Sequence, residues 1–372
     1  MTSSPHIKAP KERFAEKHHP EVLPPSLLDA YLERGWYRMG QSIFTTHFLS
    51  FHDTILSAIW TRLDLHGYSF RKRQRKLLRR NAAQFTCIVR PAIIDESREA
   101  LFQRYRAHFP ADLAPCLEEY LLEGHSSSIF DTREVSIYAG NRLVGLSYFD
   151  IGVESAESII GIYDPDYQSF SLGYYSMLLE IEYCQNEGLR YYYPGYVVPG
   201  NPRFDYKLRI GPVEYYDLHL HDWRPHEQLN AGKIPLVEMT ARLREIQQII
   251  LDDGIDMPLL YNPLFEASLI SYLEEEGDGQ FLDFPVLLFC GRAPETARFY
   301  VLVFDPRRGL YKLLVCRLSL QLWFHFHQAL RSGYDGDEFM QIPLLTEKIV
   351  AAGFDSSEFY SQIRHVFASL KA

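Results

Sequence analysis

The chain has 372 residues and a formal net charge of −10, with 38 Lys and Arg against 48 Asp and Glu, and 47% of its residues are hydrophobic. This balance is typical of folded globular proteins and excludes a largely disordered chain. No run approaches 18 apolar residues and the polar start lacks an apolar core, so we expect neither a membrane-spanning helix nor a secretory signal. The length predicts about two or three domains. The five cysteines are widely spaced, which indicates reduced thiols in the cytoplasm.

The first quarter of the chain is predicted to hold an arm, a helix and a strand. Residues 1–20 are polar and rich in His and Lys, which predicts a flexible arm. Pro25 and Ser26 are typical of a helix start, and the pattern of residues 36–44 favours a strand. We assign residues 21–94 to a small N-terminal α+β domain.

A basic segment, RKRQRKLLRR at residues 71–80, interrupts an otherwise acidic chain. At helical spacing its cations form a stripe, while Leu77 and Leu78 turn inward. Such a stripe fits the phosphates of a polyanion; a solvated helix face paired with acidic neighbours is the alternative. The seven candidate binding residues are Arg71, Lys72, Arg73, Arg75, Lys76, Arg79 and Arg80.

The middle of the chain, residues 95–222, is predicted to combine helices with a sheet. The Gly140-Asn141 turn joins two alternating apolar runs into a hairpin. The predicted helices are 96–108, 112–123 and 172–187, the strands are 134–139, 142–151, 155–163 and 189–193, and a loop spans 164–171.

This order of strands, loop, helix and strand is that of a GNAT-type acyltransferase core. In such a core the loop before the helix offers backbone N–H groups to phosphates, which makes Ser171 and Gly173 candidate binding residues. The glycine pattern (Q/R)xxGx(G/A) of acetyl-CoA enzymes is absent. The alternative interpretation is that Ser171 is a helix cap and Gly173 a packing glycine.

The last part of the chain, residues 236–372, follows a polar boundary near residues 225–235. We expect an appended α+β domain, either a substrate-recognition or an oligomerisation module. Its predicted helices are 236–252, 262–275, 317–331 and 355–370, and its hairpins fall within 284–316.

The middle segment resembles the C-terminal domain of arginyl-tRNA–protein transferases. Residues 171–198 read SLGYYSMLLEIEYCQNEGLRYYYPGYVV, against the family pattern SLGxYxxLxxIxxxxxxGLxYxYLGYxI. IYDPD at residues 162–166 is similar to the family's FFDPD, and NPRFDYK at 201–207 is similar to part of CxKMxYK. Upstream, residues 23–44 and 71–81 resemble the family's N-terminal domain.

The resemblance implies an aminoacyl-tRNA–protein transferase of the arginine or leucine class with a GNAT-like core. For this chain we expect no cofactor and no metal. Its implied partners are aminoacyl-tRNA and acceptor proteins with exposed N-termini, with no DNA and no membrane. The reaction needs an amine held against an activated ester, a proton acceptor and a stabilised oxyanion. We expect Asp164 to orient the amine, Tyr196 and Tyr206 to donate to the oxyanion or leaving hydroxyl, and Arg203 and Lys207 to contact tRNA phosphates. A turn, packed aromatic rings and surface charges are the alternative roles of these residues.

The chain also departs from the family. Family members carry N-terminal cysteines linked to iron–sulfur or redox chemistry, and none precedes Cys87 here, so we expect no iron–sulfur cluster. Asn201 and Phe204 replace the Cys and Met of the last motif. We expect Glu180 and Glu182 to be solvent-side or N-terminal-half helix charges and not bases. Two alternatives remain open: a GNAT-type acyltransferase with an acyl-thioester donor, and a non-catalytic tRNA- or protein-binding module.

Overall fold

The structure is a computed structural model that describes residues 13–51, 54–109, 113–270, 279–293, 296–323 and 336–370, together with residues 273 and 334. The helices are α1 (Pro25–Leu32), α2 (Lys72–Ala82), α3 (Glu96–Arg106), α4 (Leu117–Leu122), α5 (Leu172–Asn186), α6 (Pro235–Asp252) and α7 (Ser356–Leu370). The strands are β1 (Ala15–His18), β2 (Tyr37–Met39), β3 (Ser42–Thr46), β4 (Phe48–Phe51), β5 (Thr54–Ser57), β6 (Ile59–Asp64), β7 (Thr86–Pro91), β8 (Thr132–Ala139), β9 (Arg142–Ile151), β10 (Ser155–Tyr163), β11 (Tyr191–Val197), β12 (Glu214–Asp217), β13 (Asp222–Pro225), β14 (Leu259–Tyr261), β15 (Gln280–Phe281), β16 (Val286–Arg292), β17 (Arg298–Asp305), β18 (Leu310–Leu318) and β19 (Leu344–Gly353).

An eight-stranded sheet in the order β13-β12-β6-β11-β10-β9-β8-β7 lies at the centre of the fold. Its neighbours pair antiparallel, except that β10 and β11 run parallel. Parallel neighbours need a crossover connection, and α5 provides it. The buried side chains of Leu178, Ile181 and Cys184 on α5 pack into the core over this sheet. The predicted mixture of helices and strands is confirmed: the fold is α+β.

The strand expected over residues 36–44 is wrong, because that segment folds as a hairpin. Strands β2 and β3 pair antiparallel around a turn at Gly40, whose φ of +57° glycine adopts without steric cost. β3 also pairs with β1, which belongs to the segment expected to be an arm. Residues 1–12 of that expected arm lie outside the described residues.

A second, six-stranded antiparallel sheet, in the order β14-β16-β17-β18-β19-β15, carries α6 and α7. The hairpins predicted within 284–316 are present as β16, β17 and β18. Phe14, Phe48 and Ile55 from the start of the chain join the core of this sheet. The N-terminal segment is therefore packed against both halves of the molecule.

Two predicted helices in this last region need correction or lie partly outside the structure. The helix expected over 262–275 is wrong in its described part, where the Asn262 amide hydrogen-bonds the carbonyls of Leu282 and Phe284 (2.8 and 3.2 Å) and a short 3-10 turn, Ala267–Leu269, follows. Of the helix expected over 317–331, residues 324–331 fall outside the described residues.

Strand β6 comes from the segment assigned to the N-terminal domain, yet it lies inside the central sheet between β12 and β11. Its side chains are mostly buried, and Leu63 is fully so. Among the described residues, no helix combines the length and apolar character needed to cross a bilayer.

Candidate functional site

A cleft opens where β10 and β11 separate. The two strands pair over only three residues each, ending at Glu157 and Tyr193. Beyond that point β11 follows β6 through a bulge, and β10 bulges against β9 between Ser158 and Ile160. Pro194 contributes to the separation because proline has no N–H to donate to a neighbouring strand. The pairing of β10 and β11 is therefore interrupted at Pro194-Gly195.

The cleft has a volume of about 1470 Å³, more than a single small-molecule ligand requires. Its walls come from β10, β11, the start of α5, and the N-terminal segment. Aromatic side chains dominate them, including Tyr37, Trp60, Tyr105, Tyr120, Tyr163 and Tyr196. The cleft is thus large, aromatic and open to more than one reactant.

Lys207 and Tyr196, both predicted site residues, meet in this cleft. Lys207 Nζ donates to the Tyr196 carbonyl at 2.9 Å and lies 5.1 Å from the centre of the Tyr196 ring. The Tyr196 ring packs edge-on against Trp60, with centroids 5.0 Å apart. Burial lowers the pKa of Lys207 to about 8 and raises the pKa of Tyr196. Lys207 is therefore a cation held inside the cleft, within reach of a developing negative charge.

Gly195 explains how Lys207 comes so close to the strand. Its φ is +87°, and a Cβ added there would lie 3.1 Å from Lys207 Nζ. The backbone conformation favours glycine, and a side chain there would displace Lys207 Nζ from its observed position.

Tyr206 also lines the cleft, where it faces a carboxylate that the sequence interpretation misplaced. Burial first and the charge of Glu180 second raise the pKa of Tyr206 to about 12. Glu180 is fully buried in the cleft wall, so its expected solvent-side position is wrong. Its helix neighbour Glu182 is exposed, as expected. The spacing of apolar residues could have predicted this burial, because Glu180 falls on the same helix face as the buried Met177 and Cys184.

Asp164 does not line the cleft, and its carboxylate is already engaged. Oδ2 accepts from Arg142 Nη2 at 2.6 Å and pairs with Arg104 Nε at 3.3 Å, while Oδ1 accepts from the Asp166 backbone N–H at 3.1 Å. The side chain is 2% exposed. Two arginines and a turn thus hold Asp164, which corrects the expectation that it faces the incoming amine.

Ser171 and Gly173 lie at the start of α5 and line the cleft. Ser171 occupies the N-cap position of α5, as in the alternative interpretation, but it has a φ of +52° and its side chain makes no capping bond. A Cβ added to Gly173 would meet the Tyr163 ring at 3.5 Å, an ordinary van der Waals distance, so the packing there leaves room for a small side chain.

The predicted basic helix is present as α2, and its position relates it to the cleft. All seven of its candidate cations are exposed, and none forms an ion pair with a residue that the structure describes. Arg80 Nη2 donates to the Phe170 carbonyl at 3.2 Å, and Asn81 Nδ2 donates to the same oxygen at 2.9 Å. These bonds fix α2 beside the start of α5. The basic helix therefore lies beside the start of α5, whose residues Ser171 and Gly173 line the cleft.

Arg203 lies at the rim, where its exposed guanidinium stands 5.2 Å from the centre of the Phe109 ring. Strand β4, where the family's cysteines fall, carries Phe48 and Ser50 and provides no thiolate ligand. The residues there do not fit an iron–sulfur cluster.

Comparison with known proteins agrees with the geometry. Residues 97–217 match the family model of the arginine-tRNA-protein transferase C terminus. An aspartate/glutamate leucyltransferase of Leptospira interrogans is 26% identical over 200 residues, which is 52% of this chain and 76% of that protein. The corresponding protein of Vibrio cholerae is 27% identical over 203 residues, covering 54% of this chain and 84% of its own. The family resemblance drawn from the sequence is confirmed, and the expected aminoacyltransferase class agrees with these names.

Solved structures give weaker matches. The C-terminal domain of a putative lysylphosphatidylglycerol synthetase from Agrobacterium fabrum aligns with a TM-score of 0.31 and 12% identity, over 41% of this chain and 49% of that one. A GCN5-related N-acetyltransferase from Kribbella flavida aligns with a TM-score of 0.25 and 16% identity, over 46% and 56%.

Proposed function

We propose that this protein transfers an amino acid from the 3′ ester of a charged tRNA to the N-terminal α-amine of an acceptor protein. The observation that carries the proposal is the cleft between β10 and β11, with the exposed basic helix α2 fixed beside it. A polyanion that follows α2 reaches the start of α5 and, with it, the cleft. We place the reaction in the cytoplasm, where charged tRNA is found.

Helix α2 and the cleft wall suit the two parts of the tRNA acceptor end. The exposed cations of α2 neutralise backbone phosphates, which makes binding depend on salt. Arg203, exposed at the rim, fits a phosphate nearer the terminus. Inside the cleft the aromatic wall offers stacking surfaces for the unpaired terminal bases, a contact worth about 1–3 kcal/mol per base.

The polar groups within the cleft fit ester aminolysis. The deprotonated amine attacks the ester carbonyl carbon, forming the C–N bond and an oxyanion; the C–O bond then breaks and the leaving 3′ oxygen takes a proton from the nitrogen. Lys207, inside the cleft, suits the oxyanion better than a phosphate. We propose that the hydroxyls of Tyr196 and Tyr206 donate to the oxyanion and to the leaving oxygen. We assign Asp164 the indirect role of holding Arg104 and Arg142.

We propose leucine as the donor amino acid and acidic N-termini as acceptors. The relatives are named aspartate/glutamate leucyltransferases, and apolar side chains of the cleft wall, including Ile160, Leu172 and Met177, suit a leucyl group. These names do not favour the acyl-thioester or binding-module alternatives.

The proposal is tested with purified protein, tRNA charged separately with radiolabelled leucine or arginine, and peptides that begin with Asp, Glu, Lys or Leu. We expect label from leucyl-tRNA on the Asp and Glu peptides. The triple variant Lys72→Glu, Arg73→Glu, Lys76→Glu should weaken tRNA binding and reduce its salt dependence, since each lost phosphate contact removes roughly 0.7–0.9 from the slope of log K against log salt.

A matched control reverses three exposed cations in the last region of the chain, Arg244, Arg292 and Lys348. It has the same change in net charge and should bind tRNA as the unmodified protein does. Equal losses in both triple variants would contradict a specific role of α2. No transfer from either charged tRNA to any peptide would refute the proposed function.

A further inference from the structure

Two buried carboxylates line the cleft on opposite sides of the point where β10 and β11 part. Glu157 lies on β10 and Glu180 on α5, and they are 3% and 0% exposed. Each has one carboxylate oxygen without a hydrogen-bond partner among the described residues, Oε2 of Glu157 and Oε1 of Glu180. An unpartnered buried carboxylate oxygen is costly, and such groups are found where a function retains them.

The surroundings of the two carboxylates differ. Glu157 Oε1 accepts from the Arg38 backbone N–H at 2.9 Å. Burial and the nearby Asp150 hold the pKa of Glu157 well above its usual range. Its observed contact is with the N-terminal segment, which indicates a structural role.

Glu180 is instead surrounded by hydroxyl groups from the elements that pack against α5. Tyr192 on β11 donates to Oε2 at 2.6 Å, and the hydroxyls of Ser147 on β9 and Ser158 on β10 lie close to the carboxylate. The charge of Glu180 contributes to the raised pKa of Tyr206 and to that of Cys184, which lies one helical turn away. Burial raises the pKa of Glu180 to about 7, although the nearby hydroxyl groups stabilise the charged form and lower the pKa.

We propose that Glu180 accepts the proton that the acceptor's α-ammonium group must lose before it attacks the ester. This inference rests on the proposed transferase function. The carboxylate takes one proton from nitrogen and becomes a carboxylic acid, and the free amine then forms the C–N bond. When the ester C–O bond breaks, the 3′ oxygen takes the second proton from nitrogen. Glu180 returns its own proton to water, so one proton is released per transfer.

This assignment fits the chemistry of both partners. An α-ammonium group has a pKa of about 7.7–8.0 and is mostly protonated at pH 7. A proton acceptor works best when its own pKa lies near the working pH, because it is then both available and basic enough. Glu180 meets this condition, whereas an exposed glutamate does not.

The test measures single-turnover transfer of leucine from charged tRNA to a saturating Asp-initiated peptide between pH 5.5 and 8.5. In the unmodified protein the reacting state has one proton fewer than the fully protonated complex, because ionised Glu180 takes the proton from the amine. The rate should therefore fall about tenfold per pH unit below a midpoint near 7. Glu180→Gln keeps the acceptor for the Tyr192 hydroxyl. It should lower the rate at pH 7 about 10²–10⁴-fold and move that midpoint up to the amine's own pKa of about 7.7–8.0.

Three further variants separate a proton acceptor from a structural residue. Glu182→Gln, on the exposed side of the same helix, should leave the profile unchanged. Glu180→Asp should keep a midpoint below that of the amine at a lower rate. Glu180→Ala should regain at least tenfold in rate with added formate, which a lost packing contact does not explain. These two variants also serve if the Gln variant folds poorly.

The outcomes distinguish the inference from the function on which it rests. If the unmodified protein transfers leucine but Glu180→Gln keeps the midpoint near 7 or most of the rate, the inference is refuted and the function stands. A midpoint that moves to the amine's pKa in Glu157→Gln, and not in Glu180→Gln, would also overturn it. If the unmodified protein transfers nothing, the proposed function fails and this inference fails with it.

Discussion

Lys207→Met should make the protein more stable at neutral pH while abolishing transfer. The fold stabilises the Lys207 cation poorly: burial lowers its pKa from 10.5 to about 8. Because each pKa unit corresponds to about 1.4 kcal/mol, the charge destabilises the folded protein by about 3 kcal/mol at pH 7. Against this stand its hydrogen bond to the Tyr196 carbonyl and its contacts with the Tyr196 and Phe204 rings, which stabilise by about 2 kcal/mol together. The net gain expected from Met is therefore about 1 kcal/mol.

The sign of this effect should reverse with pH. The folded-state pKa lies below the unfolded value, so the folded protein binds fewer protons between pH 8 and 10.5, and its stability rises with pH across that window. The Met variant lacks this rise. Its free energy of unfolding, relative to the unmodified protein, should fall by about 3 kcal/mol from pH 7 to pH 10.5, which leaves it about 2 kcal/mol less stable at the alkaline end.

Urea unfolding at the two pH values, followed by tryptophan fluorescence, measures the difference, and Trp60 reports on the site because its ring lies 5.0 Å from that of Tyr196. Transfer should fall about 10²–10³-fold if Lys207 stabilises the oxyanion. Lys348→Met, at an exposed position, is the control and should show neither effect. A stability difference that is equal at pH 7 and pH 10.5 would refute the reasoning on burial. Retained transfer would refute the oxyanion role.

Two further variants test the cleft and its support. Gly195→Ala places a Cβ 3.1 Å from Lys207 Nζ at a φ of +87°, so it should lower the free energy of unfolding by about 1–3 kcal/mol and the transfer rate at least tenfold. The control Gly200→Ala has a φ of +85° and open space around it, so it should lower stability by a similar amount and leave the transfer rate unchanged. Chemical denaturation and the label assay measure the two effects. Arg38→Met removes the cation that pairs with the buried Asp150 at 3.0 Å, so it should lower the free energy of unfolding by about 3–5 kcal/mol. A loss below about 1 kcal/mol in urea unfolding would contradict this expectation.

The central part of the fold follows from local sequence patterns. Alternating apolar residues around Gly140-Asn141 predicted the β8–β9 hairpin, and the structure has it at Thr132–Ala139 and Arg142–Ile151. Helix α5 ends within one residue of its predicted end, before Gly188, which takes a φ of +75°. These features are fixed by neighbours in the chain, so a single sequence carries them.

The rest depends on contacts between distant residues, for which the chain has no local signal. Arg38 hydrogen-bonds Asp150, 112 positions away, and the Leu121 carbonyl at 2.5 Å. Strand β6 joins the central sheet beside β11, far from it in sequence. The turn around Asp164 was predictable from Asp-Pro-Asp, but its two arginine partners were not, and they decide that it faces away from the cleft.

The buried charges of the cleft and those of its support should respond in opposite ways to removal. Glu180 in the wall has a folded-state pKa of about 7, above the usual 4.5. The folded protein therefore binds more protons than the unfolded chain between these pH values, and its stability falls as the pH rises from 4.5 through 7. Removing either this charge or that of Lys207 should therefore stabilise the protein near pH 8 while stopping transfer. The Arg38 side chain is satisfied by Asp150 and the Leu121 carbonyl and also lines the cleft, so its loss should lower both stability and transfer. A charge that destabilises the fold and yet is needed for transfer belongs to the site, and a charge that supports both belongs to the scaffold.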